Sequence, residues 1–188
     1  MSMLLSQNNF QLEDDIWWTT TAILPSWKGF QSRGGAYGSE STSAPSNGDV
    51  KIVFAPEGRG NEPLSDSEIS SVVWVIENEA LIAASLLSSL FTQYPKLQEI
   101  YGYIGDEKTE YMPDINSIEG FRNLIGLHAV NVHPLEKNGM PYIGFEFGCT
   151  WDAEHGLGVL MHGNRTVKIS GADTAILHWI AEQDAKQP

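Results

Sequence analysis

The sequence predicts an α+β fold in which helices pack on an antiparallel β-meander. Alternating apolar residues and tight turns over about residues 126–170 indicate the meander. A long helical pattern over about residues 66–94 precedes it, additional strands are expected nearer the N-terminus, and a C-terminal helix is expected to pack on the sheet. No linker or repeat interrupts the chain, so we expect residues 1–188 to form a single domain.

Two strands are predicted ahead of the helical pattern. Residues 16–24 and 50–55 are rich in β-branched and aromatic types, and the first run ends at Pro25. Between them, residues 32–49 consist largely of Gly, Ser, Thr, Pro and Asn, a composition that buries little apolar surface. We therefore predict a mobile loop over residues 32–49.

The helical pattern has a clear start signal. Ser65 and Glu68 have the spacing of a capping box, and Leu64 and Ile69 flank it as a hydrophobic staple. Downstream, apolar residues recur at spacings of three and four until Pro95, which is expected to end the helix. Apolar residues cover more than one face in the middle of this stretch, so either one long amphipathic helix or a helix pair is consistent with it.

The meander is the most regular part of the sequence. One face of the strand over residues 142–151 is predicted to be buried and carries Ile143, Phe145, Phe147, Cys149 and Trp151. The other face, which includes Glu146, is expected either to be exposed to water or to be closely covered by another part of the chain. Asn138-Gly139 and Gly163-Asn164 mark hairpin turns because these residue types tolerate positive φ. A closing helix is predicted over residues 172–183.

Composition narrows the possible functions. The formal net charge of -13 argues against binding to nucleic acid or to an anionic membrane, because both repel an acidic protein. No signal-peptide pattern and no apolar stretch long enough to span a bilayer occur, so we expect a cytoplasmic protein. A single cysteine, Cys149, excludes an intramolecular disulfide and a cysteine-based zinc site within one chain.

The leading candidate for chemistry is a turn between two predicted strands. Asp152, Glu154 and His155 lie close together there, and carboxylates with imidazole suit a divalent metal such as zinc or manganese. His133 or His162 would complete such a site. The alternative is structural, in which Asp152 binds the amides of its own turn. The sequence predicts no other cofactor.

A second candidate is the acidic segment over residues 101–119, where aromatic residues alternate with carboxylates. Acidic and aromatic side chains together can form a face that binds a protein with a basic surface. A solvated loop kept soluble by its charge is the alternative. The residues predicted to contact a partner are Tyr103, Asp106, Glu107, Glu110, Tyr111 and Met112.

The run from Tyr142 to Val159 ends in Trp-Asp-Ala-Glu-His-Gly-Leu-Gly-Val, and Gly-Ala-Asp-Thr-Ala follows from Gly171. This run resembles the signature Trp-Asp-x-Glu-His-Gly-Leu-Gly-Val of an uncharacterised bacterial domain family of unknown function. The resemblance covers about the last third of the chain and implies a bacterial origin, but no activity. Small acidic bacterial domains often act as immunity proteins that cap toxins, which is an analogy only.

Two functional hypotheses follow from these patterns. In the first, the chain is a protein-binding module, and in its specific form an immunity protein, whose negative charge draws it onto a basic toxin. In the second, it is a metal-dependent enzyme that uses the turn with Asp152, Glu154 and His155. A stoichiometric transition metal that is lost in His155→Ala would favour the second hypothesis.

Overall fold

The computed structural model describes residues 5–188, which form a seven-stranded mixed sheet, a two-stranded hairpin and four α-helices. The strands are β1 (Gln11–Glu13), β2 (Trp17–Ile23), β3 (Gln31–Gly34), β4 (Glu40–Pro45), β5 (Asp49–Phe54), β6 (Ile125–Lys137), β7 (Met140–Cys149), β8 (Leu157–His162) and β9 (Arg165–Ser170). The order in the main sheet is β1-β2-β5-β6-β7-β8-β9, while β3 and β4 form the hairpin. The α+β prediction is confirmed.

The predicted antiparallel meander consists of β6 to β9. The strands nearer the N-terminus join the same sheet, but β5 pairs with β6 in parallel. A parallel pair needs a long crossover connection, and three helices lie in this one. The helices are α1 (Asp66–Glu77), α2 (Glu79–Tyr101), α3 (Gly105–Tyr111) and, after the meander, α4 (His178–Ala185).

One face of the main sheet, here called the core face, carries the apolar set that the alternation in β7 predicted. These residues are at most 2% exposed and belong to one hydrophobic cluster: Ile143, Phe145, Phe147, Cys149 and Trp151. Val72 of α1 and Leu86 of α2 join the same cluster, so the helix pair covers this face. The Trp27 ring lies 5.1 Å from the Phe147 ring between centroids.

The long helical pattern forms a pair rather than one helix. α1 and α2 meet at Asn78 and are bent by 66° relative to each other. Within residues 5–188, no single helix is long and apolar enough to cross a bilayer, and the bent pair passes that test only when its two helices are joined.

The predicted start of this pair is confirmed, whereas its predicted end is wrong. Ser65 caps α1, because its Oγ accepts from the Glu68 N–H at 3.3 Å and the Glu68 carboxylate accepts from the Ser65 N–H at 2.7 Å. α2 continues through Pro95 to Tyr101. Leu97 and Tyr101 pack against the core beyond the proline, and we infer that this packing outweighs the hydrogen bond that proline cannot donate.

Residues 32–49 contain strands where we predicted a mobile loop. β3 and β4 pair as a hairpin within this stretch. The β3 backbone approaches the main sheet at Gly126, where a Cβ would collide with the Gln31 carbonyl oxygen. Gln31 Nε2 also donates to the Asn123 carbonyl oxygen at 2.5 Å. Composition did not reveal the hairpin because backbone pairing and close backbone approach, rather than apolar side chains, hold it in place.

The chain ends in a shorter helix than predicted. The first residues of the expected helix form a 3₁₀ turn, Ala172–Ala175, and α4 begins only at His178. α4 packs on the sheet through Ile180, as expected of the C-terminal helix, and the neighbouring Trp179 is 49% exposed.

The opposite face of the main sheet, here called the polar face, is also covered around β7. A Cβ on Gly144 would collide with the backbone of Ala175, and a Cβ on Gly148 would collide with the carbonyl oxygen of Gly38. The segments that contain Ala175 and Gly38 therefore lie directly on the strand, which only glycine permits. Glu146 lies between these two glycines and is 7% exposed.

Candidate functional site

The turn after β7 and the acidic segment of residues 101–119 meet in the structure. The Tyr101 hydroxyl donates to Asp152 Oδ2 at 2.9 Å. The Tyr103 hydroxyl donates to the Trp151 carbonyl oxygen, also at 2.9 Å. The two regions that the sequence indicated separately are therefore connected by hydrogen bonds.

Asp152 is bonded mainly to its own turn. Its Oδ1 accepts from the His155 N–H at 2.9 Å and lies 3.1 Å from His155 Nδ1. Burial alone would raise the pKa of Asp152, but the hydrogen bonds from the His155 N–H, the Tyr101 hydroxyl and the His155 ring outweigh it and lower that pKa. This arrangement supports the structural interpretation of the turn.

The metal hypothesis gains no further ligand from the fold. Within residues 5–188, no three His, Cys, Asp or Glu side chains form a group that could hold a metal ion. Glu154 and His155 are exposed, whereas His133 and His162 are buried and donate to backbone carbonyls at 2.9 and 2.8 Å. Burial lowers the pKa of His133 to about 4. Metal binding by Asp152, Glu154 and His155 stays a prediction, which elemental analysis of the purified protein would test.

Two of the predicted partner-binding aromatic residues already contact the rest of the protein. The rings of Tyr101 and Tyr103 stack 6.3 Å apart, and those of Tyr103 and Tyr111 lie 5.3 Å apart. Thr150 Oγ1 donates to the Tyr111 carbonyl oxygen at 2.6 Å. Burial and the hydrogen bond to Asp152 raise the pKa of Tyr101, so its hydroxyl keeps the proton that it donates.

The surface of the acidic segment differs from the one expected. Met112 is 0% exposed, so it is a core residue rather than a surface anchor. Gln98 Nε2 donates to the Met112 carbonyl oxygen at 2.8 Å, which ties this residue to α2. Ile100 and Ile104, which the sequence pattern did not indicate, are 68% and 79% exposed. The predicted acidic residues are exposed on α3: Asp106, Glu107 and Glu110.

The sequence contains a signal for the exposure of Ile104. This residue is isolated between Gly102 and Gly105, which have φ of 67° and 58°. Gly102 ends α2 in the left-handed conformation, as C-terminal glycines commonly do. Tyr103 of the same turn packs against the core, whereas the adjacent Ile104 lies outside the apolar pattern of α2 and is exposed.

A recess with a volume of about 260 Å³ lies on the polar face beside Glu146. Glu146 Oε1 accepts from Asn131 Nδ2 at 2.5 Å, whereas Oε2 accepts no hydrogen bond from any of residues 5–188. Burial raises the pKa of Glu146, although the Asn131 hydrogen bond and the charges of His128 and Lys51 oppose the increase. A buried titratable group with a shifted pKa in a recess is typical of a functional site.

Sequence reasoning missed this recess because Glu146 has the position of an ordinary outward-facing residue in an alternating strand. The available signal was the pair of glycines on either side of it, Gly144 and Gly148. Both lie on the same face as Glu146, and small residues on a strand indicate close approach by another backbone.

The fold and these sites define an acidic α+β domain with a mixed sheet, but they do not assign an activity. The family model described as "Domain of unknown function (DUF6985)" matches residues 29–177, and the chain belongs to this family. The match confirms the expectation of an uncharacterised domain family and covers more of the chain than the last third. No curated protein and no solved structure gives a significant match.

Proposed function

We propose that this protein is a protein-binding module whose acidic surface receives a basic region of a partner protein. The acidic surface consists of Ile100, Ile104, Asp106, Glu107 and Glu110, at the end of α2 and on α3. The exposure of Ile104, at 79%, is the observation that carries the proposal, because a partner that covers this side chain would remove its apolar surface from water beside the charged residues of α3.

Apolar and charged groups would have different roles on this surface. Desolvated apolar side chains supply most of the energy of an interface, whereas exposed single charges contribute little. Charges instead steer the encounter, and a net charge of -13 favours a partner with a basic surface. Ile100 and Ile104 would therefore slow dissociation, while the acidic residues would speed association.

The specific form of the proposal is an immunity protein in the bacterial cytoplasm that neutralises a basic toxin. It is supported by the acidic charge of the chain, and by analogy with acidic bacterial domains that act as immunity proteins. The same charge disfavours nucleic acids and anionic membranes as partners. The three tyrosines at the turn would act indirectly by holding the acidic segment against Trp151 and Asp152.

The test starts with capture of a partner by the immobilised full chain from a lysate of the native host, followed by purification of that partner. Association and dissociation rates are then measured at about 50 and 200 mM salt, between which electrostatic screening increases substantially. We expect slower association at the higher salt concentration. Ile104→Ser should increase the dissociation rate with little effect on folding, because the side chain is exposed.

Matched variants separate this surface from general effects of charge and hydrophobicity. Ile23→Ser removes an isoleucine that is 64% exposed on β2, which is not part of the acidic surface. Two triple variants neutralise the same number of charges and differ in place: Asp106→Asn/Glu107→Gln/Glu110→Gln at the acidic surface and Asp15→Asn/Glu62→Gln/Glu182→Gln elsewhere. Equal effects of the two triple variants, or association that does not depend on salt, would contradict the proposal.

A further inference from the structure

The recess beside Glu146 contains a buried carboxylate with an unused acceptor. Glu146 is 7% exposed, and within the described chain only Oε1 of its two oxygens accepts a hydrogen bond, from Asn131. Moving a carboxylate from water is costly unless it is paired, and Asn131 pairs only Oε1. Oε2 is not one of the buried unpaired atoms of the described chain, so it faces the recess. Because Oε2 belongs to a side chain that lines a recess, a donor can reach it from outside the protein.

The other charges around the recess favour a cationic ligand. Lys51 Nζ lies 2.5 Å from Glu13 Oε2, and Thr19 Oγ1 donates to Glu13 Oε1 at 2.8 Å. The basic side chain in the wall is therefore already paired with an acid. Asp14, which is exposed, and His128, which is half-buried, also line the recess.

The remaining walls limit the size and shape of the ligand. Trp17 lines the recess, and aromatic rings attract cations electrostatically. Val53 and Ala129 add apolar surface on which an alkyl group can lie. The volume of about 260 Å³ is below the range of about 300–1,000 Å³ that is typical of pockets for drug-sized ligands.

We propose that this recess binds a small organic ammonium ion, with its charged head at Glu146 and its alkyl part against Trp17 and Val53. The ammonium group would donate a hydrogen bond to Oε2 and compensate the buried charge. A free alkylamine and a lysine side chain from another protein present the same chemical group. The site is separate from the acidic surface, since none of its lining residues belongs to α2 or α3: most lie on strands of the main sheet, Asp14 lies between β1 and β2, and Ile176 precedes α4.

The test uses three probes with the same alkyl chain: n-butylammonium chloride, 1-butanol and sodium butyrate. Each is titrated into the full chain at constant ionic strength while the indole N–H of Trp17 is followed by NMR. We expect saturable binding of the ammonium probe and weaker binding of the other two. Glu146→Gln should weaken ammonium binding by about tenfold or more, because it replaces a hydrogen bond to a charged group.

Two further variants test whether the effect of Glu146→Gln comes from the carboxylate in the recess. Glu99→Gln changes the net charge by the same amount at an exposed position on α2 and should leave ammonium binding unchanged. Trp17→Leu keeps the carboxylate but removes the aromatic ring, so it should weaken binding less than Glu146→Gln; Asn131 Nδ2 replaces the indole as the NMR probe in this variant. Equal binding of the ammonium and butanol probes, preference for butyrate, or unchanged affinity in Glu146→Gln would overturn the proposal.

A capped peptide with a central lysine distinguishes the two sources of the ammonium group. Saturable binding of this peptide, lost in Glu146→Gln, would support the proposal and assign the recess to a lysine side chain of a partner. Binding of n-butylammonium without binding of the peptide would support it with a free amine as the ligand.

Discussion

The two faces of the main sheet are both buried around β7, but by different means. The core face has long apolar side chains that interlock with α1 and α2, such as Phe145 and Phe147. The polar face has Gly144 and Gly148, on which other backbone segments lie, and between them the carboxylate of Glu146. Large side chains fill the core face, whereas glycines without side chains allow other backbone segments to lie on the polar face. A smaller side chain should therefore destabilise the core face, and a larger one should destabilise the polar face.

The largest effect is expected on the core face. Phe147→Ala should lower the free energy of unfolding by about 3–5 kcal/mol, since it leaves a cavity beside Trp27 in a core that cannot fully collapse. Chemical denaturation followed by tryptophan fluorescence measures the change. Ile23→Ala, at a 64% exposed position of the same sheet, should cost much less. A similar decrease in the free energy of unfolding of the two variants would show that burial of Phe147 in β7 contributes little to stability.

A smaller loss of stability, caused by overpacking rather than by a cavity, is expected on the polar face. Gly144→Ala adds one methyl group that would collide with the Ala175 backbone and should cost about 1–3 kcal/mol, as overpacking typically does. Gly34→Ala is the matched control, because a Cβ there meets nothing within 4 Å. If both variants unfold at the same denaturant concentration, the 3₁₀ turn does not lie on β7 as closely as the structure indicates.

The same contrast explains which parts of the fold could be predicted from the sequence. Period-two alternation identified β7 and its core face, and the spacing of Ser65 and Glu68 identified the start of α1, because both signals are local. The parallel pairing of β5 with β6, the hairpin of β3 and β4 and the passage of α2 through Pro95 depend on contacts between distant residues. Propensity does not describe such contacts.

The candidate sites show the same difference between local sequence signals and contacts that only the fold creates. The sequence indicated the turn at Asp152 and the acidic residues of α3, since charged residues in predicted loops are easy to recognise. It misplaced Met112, because a methionine among tyrosines and carboxylates resembles an interface residue until its burial is known. It missed the recess because Glu146, Lys51 and Trp17 lie far apart in the chain and are brought together only by strand order.

The smallest expected effect tests whether burial disfavours the charged form of Glu146, as the structure indicates. Burial raises its pKa above the ordinary value of 4.5, so the folded protein binds this proton more tightly than the unfolded chain does. The contribution of Glu146 to stability is therefore fully present below pH 4.5 and is lost as the pH rises through the folded-state pKa.

Glu146→Gln has no charge to bury, so the stability of this variant relative to the original chain should increase with pH over that interval. Denaturation midpoints at several pH values measure this difference, with Glu99→Gln as an exposed control for the same change in charge. A difference that stayed constant with pH would mean that water or a neighbouring cation already compensates the Glu146 carboxylate.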